Sequence, residues 1–378
     1  MPFQRLSPSR TSWLLGLALF FAACSDAPTE APLPDTERGA VVSASLIERS
    51  SAEEVAATLE EAGVPLEARY GVDLYRIAYR TIDAEGAETV PSGALGVPQR
   101  DGPMPPMSYQ HGTLIEKSRA PSQSGPDVIG LSLSASGYLT AVPDYLGLGE
   151  SPGLHPYLHA ASLSTAVVDF LRAARRFAEQ EGIALNEQLF LMGYSEGGYA
   201  TMAAHRALQE EYADEFEVTA SAPLAGPYDL SGSTVDLFLE EKAYPSPFYL
   251  PYLIFAYDDV YGLFSDPAHS AAPYADTLAA LIDGTHTADE INAVLPSVPQ
   301  EALRPDFLAA FTSDTDHPLR QAFRANDVYD WTPEVPLQML HCVGDDQVPF
   351  RNAEVALARF QERGAPDVSL VPLEEGGH

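Results

Sequence analysis

The sequence predicts an α/β fold in which a mostly parallel sheet is flanked by helices and carries an inserted helical cap. Short apolar runs alternate with amphipathic helical patterns over most of the chain, which is the rhythm of parallel strands joined by helices. One run, residues 189–192, meets a glycine-rich turn that opens directly into a helical pattern. The rhythm breaks over residues 228–330, where prolines and aromatic residues replace the strand patterns.

Length and charge narrow the class of protein. The chain has 378 residues, with 21 Lys and Arg against 54 Asp and Glu, a formal net charge of −33. Such a length allows one large domain with an insertion, and a hydrophobic content of 46% supports a large buried core. The excess of acidic residues argues against a nucleic acid or an anionic membrane surface as a partner.

Residues 1–23 have the layout of an export signal. Two arginines precede an apolar run that is too short to cross a bilayer. The run ends in Phe-Ala-Ala directly before Cys24, which resembles the lipobox of bacterial lipoproteins. This resemblance implies cleavage before Cys24 and attachment of lipid to it, and Ser25 in the next position implies an outer-membrane anchor facing the periplasm or the exterior. The alternative is an ordinary cleaved signal followed by an accidental cysteine.

The rest of the chain divides into a tether, a sheet domain and its insertion. Residues 24–45 are rich in Pro, Ala, Thr and acidic residues without periodicity, so we expect a flexible tether there. The sheet domain is expected over residues 46–227 and 331–378, with the cap over 228–330. If Cys24 carries lipid, Cys342 has no partner and no disulfide is expected.

The first part of the sheet domain opens with a helix and an antiparallel pair of strands. Ser51 and Glu54 predict a capping box for a helix that ends at about Ala62. Two strands, 73–81 and 90–96, are joined by a turn. The same patterns then predict strands at 104–110 and 138–142, an amphipathic helix closed by Gly182, the strand 189–192 with a helix to about Tyr212, and a strand at 218–222.

The cap and the second part of the sheet domain follow. Thr287 and Glu290 predict a second capping box, within the cap. A strand is then expected at 336–343, followed by a helix with Asn352 as its N-cap. A last strand at 368–373 leads to a Gly-Gly-His end at His378.

Ser195 stands at the apex of the glycine-rich turn. A strand, a tight turn and a helix in this order present a serine hydroxyl away from the backbone. Gly193 and Gly197 are needed because side chains there would collide with the neighbouring strand and helix. Ser195 is therefore the candidate nucleophile.

A serine hydroxyl needs a base to take its proton and an acid to orient that base. In a parallel sheet the partners should follow the carboxyl ends of strands. Asp345 and Asp346 follow the strand 336–343, and from position alone either could be the acid or both could merely end the strand. His378 follows the last strand and is the expected base, which gives the chain order Ser, Asp, His.

The other histidines are weaker candidates for the base. His111 lies in a loop with another expected role, and His341 lies within a strand. The rest have no acid after a strand to pair with, and we expect surface or packing positions for them: His155, His159, His205, His269, His286 and His317.

Acyl transfer also requires hydrogen-bond donors for the developing oxyanion. One is expected from the backbone N–H of Glu196, the residue after the nucleophile, whose side chain need not take part. The second is expected from the loop His111-Gly112-Thr113, through the N–H of Thr113, with Gly112 letting the backbone approach the substrate.

Four segments together resemble the α/β-hydrolase superfamily, and most nearly its bacterial exported esterases, which are similar to secretory lipases. They are residues 109–113, 143–149, 193–198 and 341–349. The resemblance covers about residues 73–378 and implies an α/β-hydrolase sheet with a Ser-His-Asp triad. Laid on the acid segment of relatives, it places the catalytic acid at Asp345, with Asp346 its neighbour, and it gives Asp144 a structural role.

The expected activity is hydrolysis of carboxylic esters of small molecules or lipids through an acyl-enzyme, with no metal or cofactor. Contact with a membrane is expected only through the N-terminal lipid. Two alternatives stay open: a serine peptidase acting on short peptides, and a catalytically inactive binding lipoprotein. Relatives usually continue past the catalytic histidine with a helix, so the natural chain is expected to extend beyond His378.

Overall fold

The computed structural model describes residues 33–265 and 274–378. The expected export signal, Cys24, the first part of the expected tether and His269 lie outside the described residues. Within the described ranges, no helix combines the length and the apolar character needed to cross a membrane.

Nine strands of the described residues form one mixed sheet, and two short strands form a separate hairpin. The sheet order is β1-β2-β5-β7-β6-β8-β9-β10-β11, and the hairpin pairs β3 with β4. The strands are β1 (Val41–Ser50), β2 (Val72–Tyr79), β3 (Thr81–Ile82), β4 (Glu88–Thr89), β5 (Ser92–Pro98), β6 (Pro106–Gln110), β7 (Leu139–Pro143), β8 (Phe190–Tyr194), β9 (Ala220–Leu224), β10 (Leu337–Cys342) and β11 (Val368–Leu373).

Strands β1, β2, β5 and β7 pair antiparallel in turn, whereas β7, β6, β8, β9, β10 and β11 are parallel. The helices are α1 (Ala52–Glu61), α2 (Pro121–Ser124), α3 (Val128–Ala135), α4 (Ala160–Gln180), α5 (Glu196–Glu210), α6 (Val235–Phe238), α7 (Tyr249–Tyr261), α8 (Ala275–Leu281), α9 (Ala288–Asn292), α10 (Pro305–Ser313), α11 (Pro318–Ala325) and α12 (Arg351–Glu362). The predicted fold class, a mostly parallel sheet flanked by helices, is confirmed.

The central strands β5, β6 and β7 are buried on both faces, since every residue of these strands is buried and successive residues of a strand point to opposite faces. On β7, Ala141 belongs to the apolar cluster that contains Phe170 of α4. The next residue, Val142, belongs to a different cluster, which Leu133 of α3 joins. This two-sided burial explains why strands such as β7 read as short apolar runs rather than as alternating patterns.

Several local predictions hold at residue level. Both capping boxes are present, since the hydroxyls of Ser51 and Thr287 accept from the backbone of Glu54 and Glu290 and those carboxylates accept in return. The last strand has the predicted bounds, 368–373. Between β9 and β10 the described residues form helices, α6 to α11, where the sequence lost its strand rhythm.

Two predictions about boundaries were wrong. Residues 41–45, assigned to the flexible tether, lie in β1, which pairs antiparallel with β2. The residues before β1 are held as well, because the buried guanidinium of Arg38 donates to Asp169 of α4 at 2.9 Å. Asn352 is not an N-cap: Phe350 caps α12, and the Asn352 side chain instead accepts from the backbone of Asp229 at 2.9 Å.

The parallel strands bring the candidate residues together. Ser195 follows β8, His111 follows β6, Asp345 comes three residues after β10, and His378 comes five residues after β11. Because these strands run in one direction, their carboxyl ends meet at the same edge of the sheet. The four segments that carry these residues, although far apart in sequence, therefore lie together at this edge of the sheet.

Candidate active site

The turn at Ser195 has the geometry that its glycines predict. Ser195 has φ +60° and ψ −123°, an uncommon conformation for a residue with a side chain, and its amide donates to the carbonyl of Leu224 at 2.9 Å. A Cβ at Gly193 would overlap the carbonyl of Gly197, and a Cβ at Gly197 would overlap the carbonyl of Gln110. The glycines therefore let strand, helix and the end of β6 approach each other.

His378 joins the serine to the acid. Its Nε2 lies 2.7 Å from the hydroxyl oxygen of Ser195, and its Nδ1 lies 2.9 Å from Oδ2 of Asp345. The structure thus brings Ser195, His378 and Asp345 into one hydrogen-bonded chain. The carboxylate of Asp345 contacts the imidazole whereas Asp346 is exposed, so the geometry favours Asp345 as the partner of His378.

The carboxylate of Asp345 is held on both of its oxygens. Oδ1 accepts from the amides of Gln347 and Val348 at 2.9 and 2.8 Å, and Oδ2 faces His378. Burial alone would raise the pKa of Asp345, but hydrogen bonds from His341, His378 and the Val348 amide hold that pKa below its usual range. The carboxyl of Asp345 is therefore ionised at neutral pH.

His341 contacts the same carboxylate from within the sheet. Its Nε2 lies 3.2 Å from Oδ2 of Asp345 and 2.9 Å from the carbonyl of Val348. The sequence placed His341 in a strand, as found in β10, but gave no sign of this contact. His341 lies against the acid rather than against Ser195, so it supports the carboxylate and cannot serve as the base in this arrangement.

Tyr194 and the expected oxyanion donors complete the surroundings of the serine. The ring of Tyr194 stacks on that of His378, with centroids 5.1 Å apart. The amides of Glu196 and Thr113 donate to no protein acceptor within the described ranges. Gly112 faces the serine closely enough that a Cβ there would lie 3.6 Å from Cβ of Ser195. Thr113 lines an open cleft beside Ser195, and Glu196 lines a separate small cavity that also reaches Ser195.

Two cavities meet at Ser195. An apolar cavity of about 30 Å³ is bounded by Leu237 and Phe238 of α6 and by Tyr249 and Leu253 of α7. An open cleft of about 610 Å³ lies beside the loop 111–114 and contains His378, with Arg119 and Asp127 at its wall. The serine is thus approached by a small apolar space on one side and by a large cleft with both polar and apolar walls on the other.

The sequence missed an acid partner for His155. Nε2 of His155 lies 2.7 Å from Oε1 of Glu196, and both side chains are buried. The expectation that His155 had no acid to pair with was wrong, since its partner is the first residue of the helix after the serine turn. Of the other histidines, His159 and His205 are buried in packing positions, where burial lowers the pKa of each to about 4.

Asp144 has the structural surroundings that the sequence suggested. Its buried carboxylate accepts from the hydroxyl of Ser92 at 2.6 Å and from the amide of Ser122 at 2.8 Å. Burial raises the pKa of Asp144 in spite of these bonds. The group ties β5 and α2 to the end of β7 and does not contact Ser195.

Comparisons with known proteins agree with this architecture. The family model of the secretory lipases matches residues 126–234. The chain is 30% identical to the rice cell wall degrading esterase LipA from Xanthomonas oryzae, with a TM-score of 0.83 over 89% of this chain and 92% of that one. It is also 30% identical to a candidate hydrolase from Legionella pneumophila, with a TM-score of 0.81 over 89% and 93%.

More distant comparisons bear on the fold alone. Candida antarctica lipase A has 18% identity and a TM-score of 0.65 over 92% of this chain and 80% of that one. No curated protein matches the chain significantly. The match to the family model includes the serine turn, and the two relatives at 30% identity are covered over nearly their whole length. The chain belongs to the secretory lipase family of the α/β-hydrolases.

Proposed function

We propose that the protein is a serine carboxylic-ester hydrolase that works through an acyl-enzyme. The observation that carries the proposal is the hydrogen-bonded chain from Ser195 through His378 to Asp345, with bonds of 2.7 and 2.9 Å. His378 takes the proton of Ser195 as the hydroxyl oxygen attacks the ester carbonyl, and Asp345 stabilises the imidazolium that forms. The amides of Glu196 and Thr113 donate to the oxyanion.

Breakdown of the tetrahedral intermediate follows from the same groups. His378 returns its proton to the leaving alkoxide, and the acyl group stays on the oxygen of Ser195. A water molecule, deprotonated by His378, then attacks the acyl carbonyl and releases the acid. No step requires a group other than these residues and water.

The two cavities support an assignment of the two halves of the ester. The leaving alcohol must lie where His378 can protonate it, and His378 lines the open cleft of about 610 Å³. His378 does not line the apolar cavity of about 30 Å³, so we assign this cavity to the acyl chain. Since one water-sized group occupies about 10–15 Å³ by this measure, the cavity has room for about two or three such groups. We therefore propose esters of short acyl chains with larger alcohols as substrates.

The helical insertion, residues 228–330, is proposed as a cap that shapes the acyl side. Leu237 and Phe238 from α6, with Tyr249 and Leu253 from α7, form much of the apolar wall beside Ser195. We also propose that the N-terminal signal exports the protein and that Cys24 carries a lipid anchor. Incorporation of radiolabelled palmitate that a Cys24→Ser variant abolishes would support the anchor, and equal labelling of both proteins would contradict it.

The central test is replacement of the nucleophile. Ser195→Ala should lower turnover of p-nitrophenyl acetate by about 10⁴-fold or more, because the remaining groups cannot form an acyl-enzyme. A fluorophosphonate probe should label the wild-type protein on Ser195 and should not label the variant. Wild-type turnover by Ser195→Ala would rule out the mechanism. Labelling without ester hydrolysis, but with cleavage of short peptides, would favour a peptidase instead.

A further inference from the structure

The buried pair of His155 and Glu196 lies directly behind the nucleophile. Glu196 follows Ser195 in the chain, and its backbone amide is one of the proposed oxyanion donors. The side chains of His155 and Glu196 are 2% and 0% exposed, and Nε2 to Oε1 is 2.7 Å. The other carboxyl oxygen, Oε2, has no hydrogen-bond partner in the described part of the chain. His155 is therefore the side chain that satisfies this carboxyl.

The hydrogen bonds fix how many protons the pair holds. Nδ1 of His155 lies 2.7 Å from the carbonyl of Leu146, which can only accept, so Nδ1 carries a proton. The contact of Nε2 with Glu196 needs one further proton, on either partner. The pair is then imidazolium with carboxylate, or imidazole with carboxylic acid, and in both cases its net charge is zero. Without His155, an ionised Glu196 would leave an unpaired negative charge beside the oxyanion.

The same imidazole also braces the second oxyanion loop. The ring of His155 stacks on Tyr145, with centroids 5.8 Å apart and planes 15° apart. Tyr145 in turn donates from its hydroxyl to the carbonyl of His111 at 3.1 Å, and its ring lies 4.3 Å from the His111 imidazole. His111 opens the loop that ends at Thr113, the second proposed donor. One buried side chain thus contacts the supports of both donors.

We propose that His155 is a positioning residue for the oxyanion site. It keeps the buried carboxyl of Glu196 from being an unpaired charge, and it keeps the two donor amides at the distance from each other that the oxyanion requires. The inference rests on the proposed function, because it assumes that an oxyanion forms at Ser195. His155 acts through Glu196 and Tyr145 and does not contact the substrate. Its loss should therefore weaken binding of the tetrahedral state more than binding of the ester.

A second buried histidine supplies a matched control. His205 is 0% exposed, its Nδ1 contacts the hydroxyl of Ser221 at 2.8 Å, and its ring packs edge-on against Trp331. It lies on α5, as Glu196 does, but it contacts none of the proposed catalytic groups. Replacing it removes a buried histidine of the same kind without touching the oxyanion site. A purely structural role for His155 predicts that the two replacements behave alike.

The experiment compares His155→Leu with His205→Leu in the otherwise unchanged protein. Turnover of p-nitrophenyl acetate gives kcat and KM, and an alkylboronic acid that forms a tetrahedral adduct on Ser195 reports affinity for the oxyanion state. Misplacing one donor costs on the order of 10² to 10³ in rate. We expect His155→Leu to lower kcat about 10²-fold with KM changed less than threefold, and boronate affinity to fall in parallel. His205→Leu should keep kcat within threefold.

A double variant separates charge from position. His155→Leu with Glu196→Gln replaces the unpaired acid by a neutral amide, so it should recover about tenfold of the lost kcat. If His155→Leu does not fold, His155→Gln serves, because its amide can donate to the carboxylate but cannot neutralise it. We expect its kcat to be lowered at least tenfold.

The outcomes separate this inference from the proposed function. A folded His155 variant with wild-type kcat and boronate affinity would overturn the inference, as would an equal loss in His205→Leu. Failure of the wild-type protein to hydrolyse esters, or turnover that does not depend on Ser195, would instead overturn the proposed function.

Discussion

The length of the acyl chain should be set by Leu237, and the perturbation that tests this is Leu237→Ala. Leu237 lies on α6, is half-buried, and lines the apolar cavity of about 30 Å³ beside Ser195. Replacing leucine by alanine removes three carbon atoms from the wall of this cavity. The space gained should accept an acyl chain that is longer by about the same number of methylenes.

The expected magnitude follows from the apolar surface that the longer chain would bury. Each buried methylene contributes about 0.8 kcal/mol, so three contribute about 2.4 kcal/mol if they are fully enclosed. Because Leu237 is partly exposed, less than this full value is expected, on the order of 1 to 2 kcal/mol. At about 1.4 kcal/mol for each factor of ten, the ratio of kcat/KM for hexanoate over propionate should rise on the order of tenfold.

The assay is a series of p-nitrophenyl esters from acetate to octanoate, with kcat/KM measured for each. Leu239→Ala is the matched control, because Leu239 follows α6, is equally half-buried and packs against the same apolar cluster without lining the cavity. The control should keep the wild-type profile. An unchanged profile in Leu237→Ala, an equal shift in both variants, or a wild-type preference for octanoate would refute the assignment of the acyl side.

Two further predictions concern carboxylates. Asp345→Asn should lower kcat by about 10⁴-fold, because the amide favours the wrong tautomer of His378. Asp346→Asn is the control and should keep kcat within threefold. Similar losses of kcat in both variants would contradict the choice of Asp345 as the acid. Burial raises the pKa of Asp327 to about 6 although Ser231 donates to it, so the folded state binds this proton more tightly than the unfolded state. The protonated carboxyl of Asp327 therefore adds to the free energy of unfolding as the pH falls through 6, and this contribution is lost as the pH rises. Urea unfolding at pH 7 and at pH 5 should show that the wild type gains stability relative to Asp327→Asn at the lower pH. Parallel changes in both proteins would refute the assignment.

The placement of the three proposed triad residues could be predicted because it depends on strand ends. Ser195 and Asp345 follow apolar runs that are buried strands in the structure, β8 and β10, and His378 follows β11. A parallel sheet gathers such ends at one edge whatever the details of packing. Local pattern and one topological rule were therefore sufficient to select Ser195 and His378 and to narrow the acid to Asp345 or Asp346, whereas the choice of Asp345 came from the family resemblance.

The features that the sequence missed depend on contacts between distant residues. β1 is an edge strand whose residues are mostly exposed, so it carries no alternating apolar pattern to mark it. His155 and Glu196 are separated by 41 positions, and their pairing exists only because α5 and the loop after β7 pack together. The sequence around Asn352 predicts a helix cap, but the side-chain oxygen of Asn352 instead accepts a hydrogen bond from the backbone amide of Asp229, 123 positions away.

The strongly acidic composition raises the question of how the protein could stabilise a negative oxyanion. Charges on the surface contribute little, since at physiological ionic strength exposed charges are screened over about 8 Å. Two buried carboxyls adjoin the serine, Glu196 as its neighbour in the chain and Asp345 through His378, and each has an imidazole against it, at 2.7 and 2.9 Å. In the proposed mechanism the match for Asp345 is made during the reaction, because His378 would become an imidazolium in the step that creates the oxyanion.

For Glu196 our inference makes the match permanent, because His155 contacts the carboxyl in the resting structure and takes no part in the proposed proton transfers. The two pairs therefore have different electrostatic roles in our proposal. His378 with Asp345 supplies a positive charge when the oxyanion forms, and His155 with Glu196 removes a negative charge that would otherwise oppose the oxyanion. Added salt should therefore raise kcat/KM for anionic esters, because it screens their repulsion from a protein of net charge −33. It should leave kcat for neutral esters nearly constant.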